Sequence, residues 1–146
     1  MVTEREVVEN CMCHRTRMAA RAVTRLYDNT LRPVGLRATQ LAILVAAGGE
    51  DVVSIAALAQ FMGMDRSTLT RNLAPLEREG LIRIGVEGWR RSRMVEVTKQ
   101  GRTRLREALP LWEKAQETLR RKLGVQRWTG IRSDLDDLRT SSDGSR

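Results

Sequence analysis

Aromatic side chains are nearly missing from this chain, with three Trp, one Tyr and one Phe among 146 residues. So few rings leave no stacking platform for unpaired bases, which disfavours RNA as a partner. There is one histidine, His14, and no second with which it could share a metal, so a four-ligand site would need carboxylates or a partner chain. His14 falls in a predicted helix, no nucleophile elbow or phosphate loop occurs, and the acidic residues are scattered. The chain is therefore not expected to be an enzyme or to hold a cofactor. It also lacks any run of about 18 apolar residues and any charged-then-apolar leader, which argues against a membrane span or secretory signal and for a cytoplasmic location.

Basic charge is abundant. The net charge is +8, and its placement says more than its total. Residues 65–106 hold eleven Arg or Lys against five Asp or Glu, and residues 13–37 hold six against one. Residues 38–64 carry two acidic residues and no basic ones, and 107–146 carry eight basic against seven acidic. Such a distribution favours a polyanionic partner bound through two particular stretches.

The stretch from Ser54 to Ile84 organises the rest. Ile55, Leu58, Ala59 and Met62 recur at helical spacing, and Gly63 breaks the pattern where a helix C-terminus wants a left-handed residue. Asp65 is placed to cap a second helix with Leu69, Leu73 and Leu76 on its inner stripe. Ser67, Thr68, Thr70 and Arg71 lie on the other side. This is a helix-turn-helix whose second helix has the chemistry of a base reader. Glu79-Gly80 then ends that helix, and strands are predicted at Leu81–Ile84 and Met94–Val97. The Gly-containing loop between them, 85–93, carries Arg90, Arg91 and Arg93. A hairpin of this kind makes a winged helix, whose wing would reach the backbone or minor groove. A solvated loop with incidental charge is the plain alternative.

Around this core the sequence predicts a frayed 1–6 and one long helix from Val7 to about Arg32, ended by Pro33. A helix over Ala38–Ala47 follows, with Leu41, Leu44 and Val45 inward, and then a short extended Val52-Val53. Thr98 caps a helix to Leu123, kinked at Pro110, with Leu105, Leu109, Trp112, Ala115, Gln116, Leu119 and Leu123 inward. A last helix spans roughly Gln126–Arg139. The apolar stripes of the terminal helices are wider than one small core needs, which a dimer of interleaved arms would explain. The expected fold is mainly α with a small β wing. It comprises dimerisation helices at 1–34 and 105–140, a winged helix-turn-helix domain at 35–104, and a disordered tail at 141–146.

In order and spacing, three segments resemble the MarR family of bacterial transcriptional regulators. They are TLRPVGLRATQLAIL (30–44), LAQFMGMDRSTLTRNLAPLEREGLI (58–82) and RRSRMVEVTKQGRTRL (90–105). The resemblance implies a homodimer that binds pseudo-palindromic double-stranded DNA, usually as a repressor, and that is released by a small, often aromatic ligand; other members respond to cysteine oxidation. It matches Ser67, Thr68 and Arg71 to the base-reading face, Thr70 and Asn72 to positions nearer the backbone, and Arg91 or Arg93 to the wing arginine. Arg66 and Arg90 join these as DNA-contact candidates. One departure concerns the wing: the family commonly has an acidic residue just before the Arg-Arg pair, and Trp89 stands there, with Glu87 two residues away.

Signal candidates are fewer. An effector pocket is expected where the first, second and Pro110-containing helices meet, with His14, Arg15, Met18, Leu41 and Trp112 as its residues. Cys11 and Cys13, two apart on one helix, would point about 200° away from each other and should not bridge within it. Oxidation of one thiol or a bridge to a partner subunit is the redox alternative to a ligand. A metal-responsive site is weaker, and a structural role for both thiols is the simplest reading.

Overall fold

The computed structural model describes residues 2–49, 53–85 and 93–142. Seven α-helices and a small sheet are formed by these residues: α1 (Glu4–Asn10), α2 (Met12–Leu31), α3 (Ala38–Gly48), β1 (Val53–Ser54), α4 (Ile55–Met62), α5 (Arg66–Arg78), β2 (Ile82–Ile84), β3 (Met94–Val97), α6 (Lys99–Leu123) and α7 (Val125–Ser142). A 3-10 turn at Arg32–Val34, with Pro33 near its start and Gly35 left-handed behind it, joins α2 to α3. Mainly helical with a winged sheet, the fold is as the sequence indicates.

The N-terminal arm differs from expectation in two ways. Residues 4–6 are not frayed, because Thr3 and Glu6 form a reciprocal capping box that satisfies two otherwise free N–H groups. Nor is there one helix from Val7 onward. Cys11 is extended (φ −68°, ψ 111°), ending α1 and starting α2. The apolar periodicity runs straight through the break, which is why spacing alone did not reveal it.

The winged core is built as its punctuation dictates. Gly63 closes α4 in the left-handed region at φ 61°. The side chains of Ser54, Asp65 and Thr98 cap α4, α5 and α6. Leu58, Leu69, Leu73 and Leu76 are fully buried together with Leu31, Ile43, Leu44, Leu81, Ile82, Val95 and Val97. In α3 the inward set is Leu41, Ile43, Leu44 and Ala47, whereas Val45, expected inside, is half exposed. The sheet is antiparallel in the order β1-β3-β2. Val53 pairs with Val95, Ile82 with Val97, and Arg83 with Glu96 across an ion pair of 2.8 Å. Glu77 of α5 accepts the Ile84 N–H at 3.3 Å, tying the reading helix to β2.

Helix α6 also corrects the sequence. Its fully buried positions are Gly101, Ala108 and Ala115, small residues seven apart, while Leu109 and Trp112 are 47% and 41% exposed. Small residues two turns apart let a helix approach its neighbours closely, and α6 packs along both α2 and α3. Its larger apolar side chains therefore remain outside. So do Val7, Val8, Met12, Met18 and Val23 of the N-terminal arm and Ile131 and Leu135 of α7. Helix α7 reaches Ser142, further than the sequence indicated, and takes in the first two residues assigned to the tail.

Candidate nucleic-acid interface

Helix α5 presents its outer face because its inner stripe is fully committed to the core. Asp65 orders the exposed first turn. One carboxylate oxygen accepts the Thr68 N–H at 2.8 Å and the Ser67 hydroxyl at 2.5 Å, and the other accepts the Thr68 hydroxyl at 2.7 Å. These bonds, led by that from Ser67, hold the Asp65 carboxyl far below the usual carboxylate range. Arg71 lies one turn on, its guanidinium donating to the Thr68 hydroxyl oxygen at 3.3 Å. Ser67, Thr68 and Arg71 are thus brought together as the sequence placed them.

The remaining helix positions behave differently. Thr70 returns its hydroxyl hydrogen to the Arg66 carbonyl, and the Asn72 amide donates to the Thr68 carbonyl, both at 2.8 Å. These two side chains are folded onto their own helix, while Arg66 stands exposed at its start. Arg93, exposed, opens the strand arm of the wing, and its carbonyl accepts the Ile55 N–H at 3.0 Å. Arg90, Arg91, Trp89 and Glu87 lie outside the described residues.

Beside α5 the structure shows a basic feature that the sequence reading did not resolve. A cleft of about 940 Å³ opens between α5, the end of α2 and the start of α3. Arg25, Arg32, Arg37 and Arg78 line it, with Asn72 on the α5 side. Of its two carboxylates, Asp28 is occupied in accepting the Ala38 N–H at 2.8 Å, which ties α3 to α2. The excess of basic residues over 13–37 was the available signal, but no linear motif joins those arginines to a helix forty residues later.

A second pocket, about 540 Å³ and mainly apolar, lies between α2, α3 and α6. Tyr27, Leu41, Val45, Phe61, Leu109 and Trp112 are among its lining. Partial burial raises the Tyr27 phenol above its ordinary value, so it stays a hydrogen-bond donor at neutral pH. Of the expected pocket residues, Leu41 and Trp112 are here. His14, Arg15 and Met18 are exposed nearer the start of α2 and line no part of it, and Arg15 instead donates to the Glu9 carbonyl at 3.1 Å. Cys11 and Cys13 are free thiols, Cys11 half-buried and Cys13 exposed. Because Cys11 sits in the extended break, the two do not share one helix, and the helical geometry that separated them does not apply. Among the described residues no cluster of His, Cys, Asp or Glu could hold a metal ion, and no helix is long and apolar enough to cross a membrane.

A capped, outward-facing helix in a helix-turn-helix, followed by a hairpin and flanked by helical arms, defines the winged helix-turn-helix class of transcriptional regulators. Residues 36–83 match the MarR family. The M. tuberculosis transcriptional regulator MosR, solved in complex with DNA, is 35% identical, with a TM-score of 0.85 over 94% of this chain and 99% of that one. The repressor CouR bound to a 23-mer DNA duplex (21% identity, TM-score 0.80, 94% of this chain and 99% of that one) shares the fold. So does a mutant MarR from E. coli complexed with operator DNA (19% identity, TM-score 0.80, 90% of this chain and 96% of that one). No curated protein matches the chain in sequence. The chain belongs to the MarR family, whose members are transcriptional regulators rather than enzymes.

Proposed function

We propose that this protein is a homodimeric repressor that binds a pseudo-palindromic operator in double-stranded DNA and releases it when a small, apolar or aromatic ligand occupies the pocket around Tyr27 and Trp112. The observation that carries the reading is the outer face of α5, where Ser67, Thr68 and Arg71 are ordered by Asp65 and stand clear of the core. Arg71 is the base-reading donor, with Ser67 and Thr68 beside it. Thr70 and Asn72 lie nearer the backbone, Arg66 is a further contact at the helix start, and Arg90, Arg91 and Arg93 belong to the wing. The arginine cleft adds attraction for phosphates that is independent of sequence.

The dimer reading rests on exposed apolar surface. Helices at 1–34 and 105–140 leave Met12, Met18, Val23, Leu109, Trp112 and Leu135 uncovered in the single chain, and a second copy would bury them. Two reading helices in such a dimer would meet half-sites about 10 bp apart. In gel shifts against DNA upstream of its own coding region, Arg71→Ala is expected to cost about 1–3 kcal/mol at one base position per half-site. An equal loss on every sequence would reassign Arg71 to a phosphate, and a footprint with one unpaired half-site would refute the dimer.

The extended break at Cys11 favours keeping a second reading, in which oxidation of Cys11 and Cys13 is the signal. Peroxide is then expected to weaken DNA binding of the wild type but not of Cys11→Ser or Cys13→Ser. Equal affinity in all three, oxidised or not, leaves both thiols structural.

A further inference from the structure

We propose that Asp65 fixes the hydrogen-bond polarity of the reading face, so that Ser67 and Thr68 act as acceptors toward the exocyclic amino groups of bases, adenine N6 or cytosine N4. The inference rests on α5 being the base reader. A hydroxyl has a single hydrogen and two lone pairs. Ser67 gives its hydrogen to one Asp65 oxygen at 2.5 Å, and Thr68 gives its own to the other at 2.7 Å. An ionised carboxylate can only accept, so the direction of both bonds is set, and hydrogen bonds to a charged acceptor are the stronger kind. The carboxyl stays ionised throughout the neutral range, since the same bonds depress its pKa.

What is left on the outer face follows by subtraction. Ser67 keeps two lone pairs, and Thr68 keeps one beyond that taken by Arg71. Neither can donate to guanine O6 or N7, or to a phosphate oxygen, without giving up its bond to Asp65. In the major groove the complementary donors are adenine N6 and cytosine N4. Thr70 is no exception among the hydroxyls, since its hydrogen goes to the Arg66 carbonyl. Donor capacity for guanine is thereby concentrated in the arginines, Arg71 foremost. The face pairs an arginine donor with hydroxyl acceptors one turn earlier on the same helix. It suits a guanine lying near an amino-bearing base, and it turns the hydroxyls away from a backbone that offers acceptors alone.

The full-length protein tests this after its preferred duplex is selected from a randomised pool. Adenines are then replaced singly by purine, which lacks the N6 amino group, and cytosines by pyrimidin-2-one, which lacks the N4 amino group. In parallel, 7-deazaguanine removes the N7 acceptor. Amino deletion is expected to weaken wild-type binding about 3–10-fold at one or two positions per half-site. That sensitivity should vanish in Ser67→Ala or Thr68→Val. Asp65→Asn keeps one side-chain oxygen for the Thr68 N–H and the Ser67 hydroxyl but replaces the other by an amide donor facing the Thr68 hydroxyl, so it should lose the amino discrimination that Thr68 supplies and keep that of Ser67, while its circular dichroism and melting report the fold. If Ser67 and Thr68 variants change only the response to 7-deazaguanine, or change no base response, the acceptor assignment is wrong although the DNA reading stands. If no sequence is enriched from the pool, the DNA reading itself falls and this assignment falls with it.

Discussion

Gly101 offers a test of how the long C-terminal arm is fastened to the wing. Gly101 lies in the first turn of α6, fully buried, where the helix meets the strand ends. A Cβ there would lie 2.0 Å from the Leu81 carbonyl oxygen and 2.9 Å from Val97 Cγ1. Carbon and oxygen ordinarily stay roughly 3.3 Å apart, so in Gly101→Ala the helix start must retreat by roughly 1.3 Å. The retreat pulls on Thr98, which donates its N–H to Leu81 at 3.1 Å and its hydroxyl to Gly80 at 2.7 Å. Overpacking costs about 1–3 kcal/mol and each weakened bond about 1 kcal/mol, while Ala in a helix regains about 1 kcal/mol over Gly. A net loss of about 2–4 kcal/mol is expected in urea unfolding followed by circular dichroism at fixed protein concentration. Gly130→Ala is the control, since within the chain nothing lies within 4 Å of that position in α7, leaving helix propensity to stabilise it by up to about 1 kcal/mol. If Gly101→Ala matched or exceeded the wild type in stability, the close docking of α6 on the Leu81 carbonyl would be refuted.

Other outcomes follow from the same geometry. The folded Asp65 carboxyl titrates below its ordinary value of about 3.8, so its stabilisation is complete above that pH and is lost as pH falls below it; unfolding of Asp65→Asn should therefore depend less on pH in that acid range than the wild type, and parallel curves would refute the cap. If Arg37 contacts phosphate from the cleft, Arg37→Gln should weaken binding similarly on all duplexes and lower the slope of log affinity against log salt by about 1, whereas a loss confined to one sequence would make it a base contact. In a thermal-shift screen of small aromatic compounds, a true effector at roughly 100 times its Kd adds about 2.7 kcal/mol, and Trp112→Ala should abolish that shift. An undiminished shift would place the effector elsewhere.

What could be read from the sequence was local. Gly63, Asp65, Gly80 and Thr98 each announce a helix end through their own backbone or side-chain chemistry, and the structure uses all four as such. Leucine spacing in α5 likewise settles which side faces inward. The failures came where periodicity was asked to do more than it can. Cys11 interrupts a helix without a Gly or Pro, and Leu109 and Trp112 have the spacing of core residues in a helix that buries its small ones. Pro75 sits inside α5, where a proline would ordinarily argue for a helix end. Its α5 neighbours are held by the core leucines and by the bond from Ile84 of β2 to Glu77, so tertiary packing overrides the local preference.

Helix α2 shows the same limit at the level of function. At 100° per residue, Val23 and Tyr27 fall on one side of it, with Arg25, and Arg32 just past its end, roughly opposite. The first pair lines the apolar pocket and the second pair the arginine cleft beside α5. Asp28, between them, holds the start of α3. The sequence displays both faces as a broad stripe and a run of positive charge, but it cannot say that they border two different cavities, because the other walls come from α3, α5 and α6. Once those walls are in place, a ligand that displaces α2 from one side necessarily moves the arginines on the other. Such a displacement changes DNA affinity only to the extent that the ligand binds the displaced arrangement more tightly. In the proposed function, coupling between signal and reading would therefore come from how one helix is shared, not from a motif of its own.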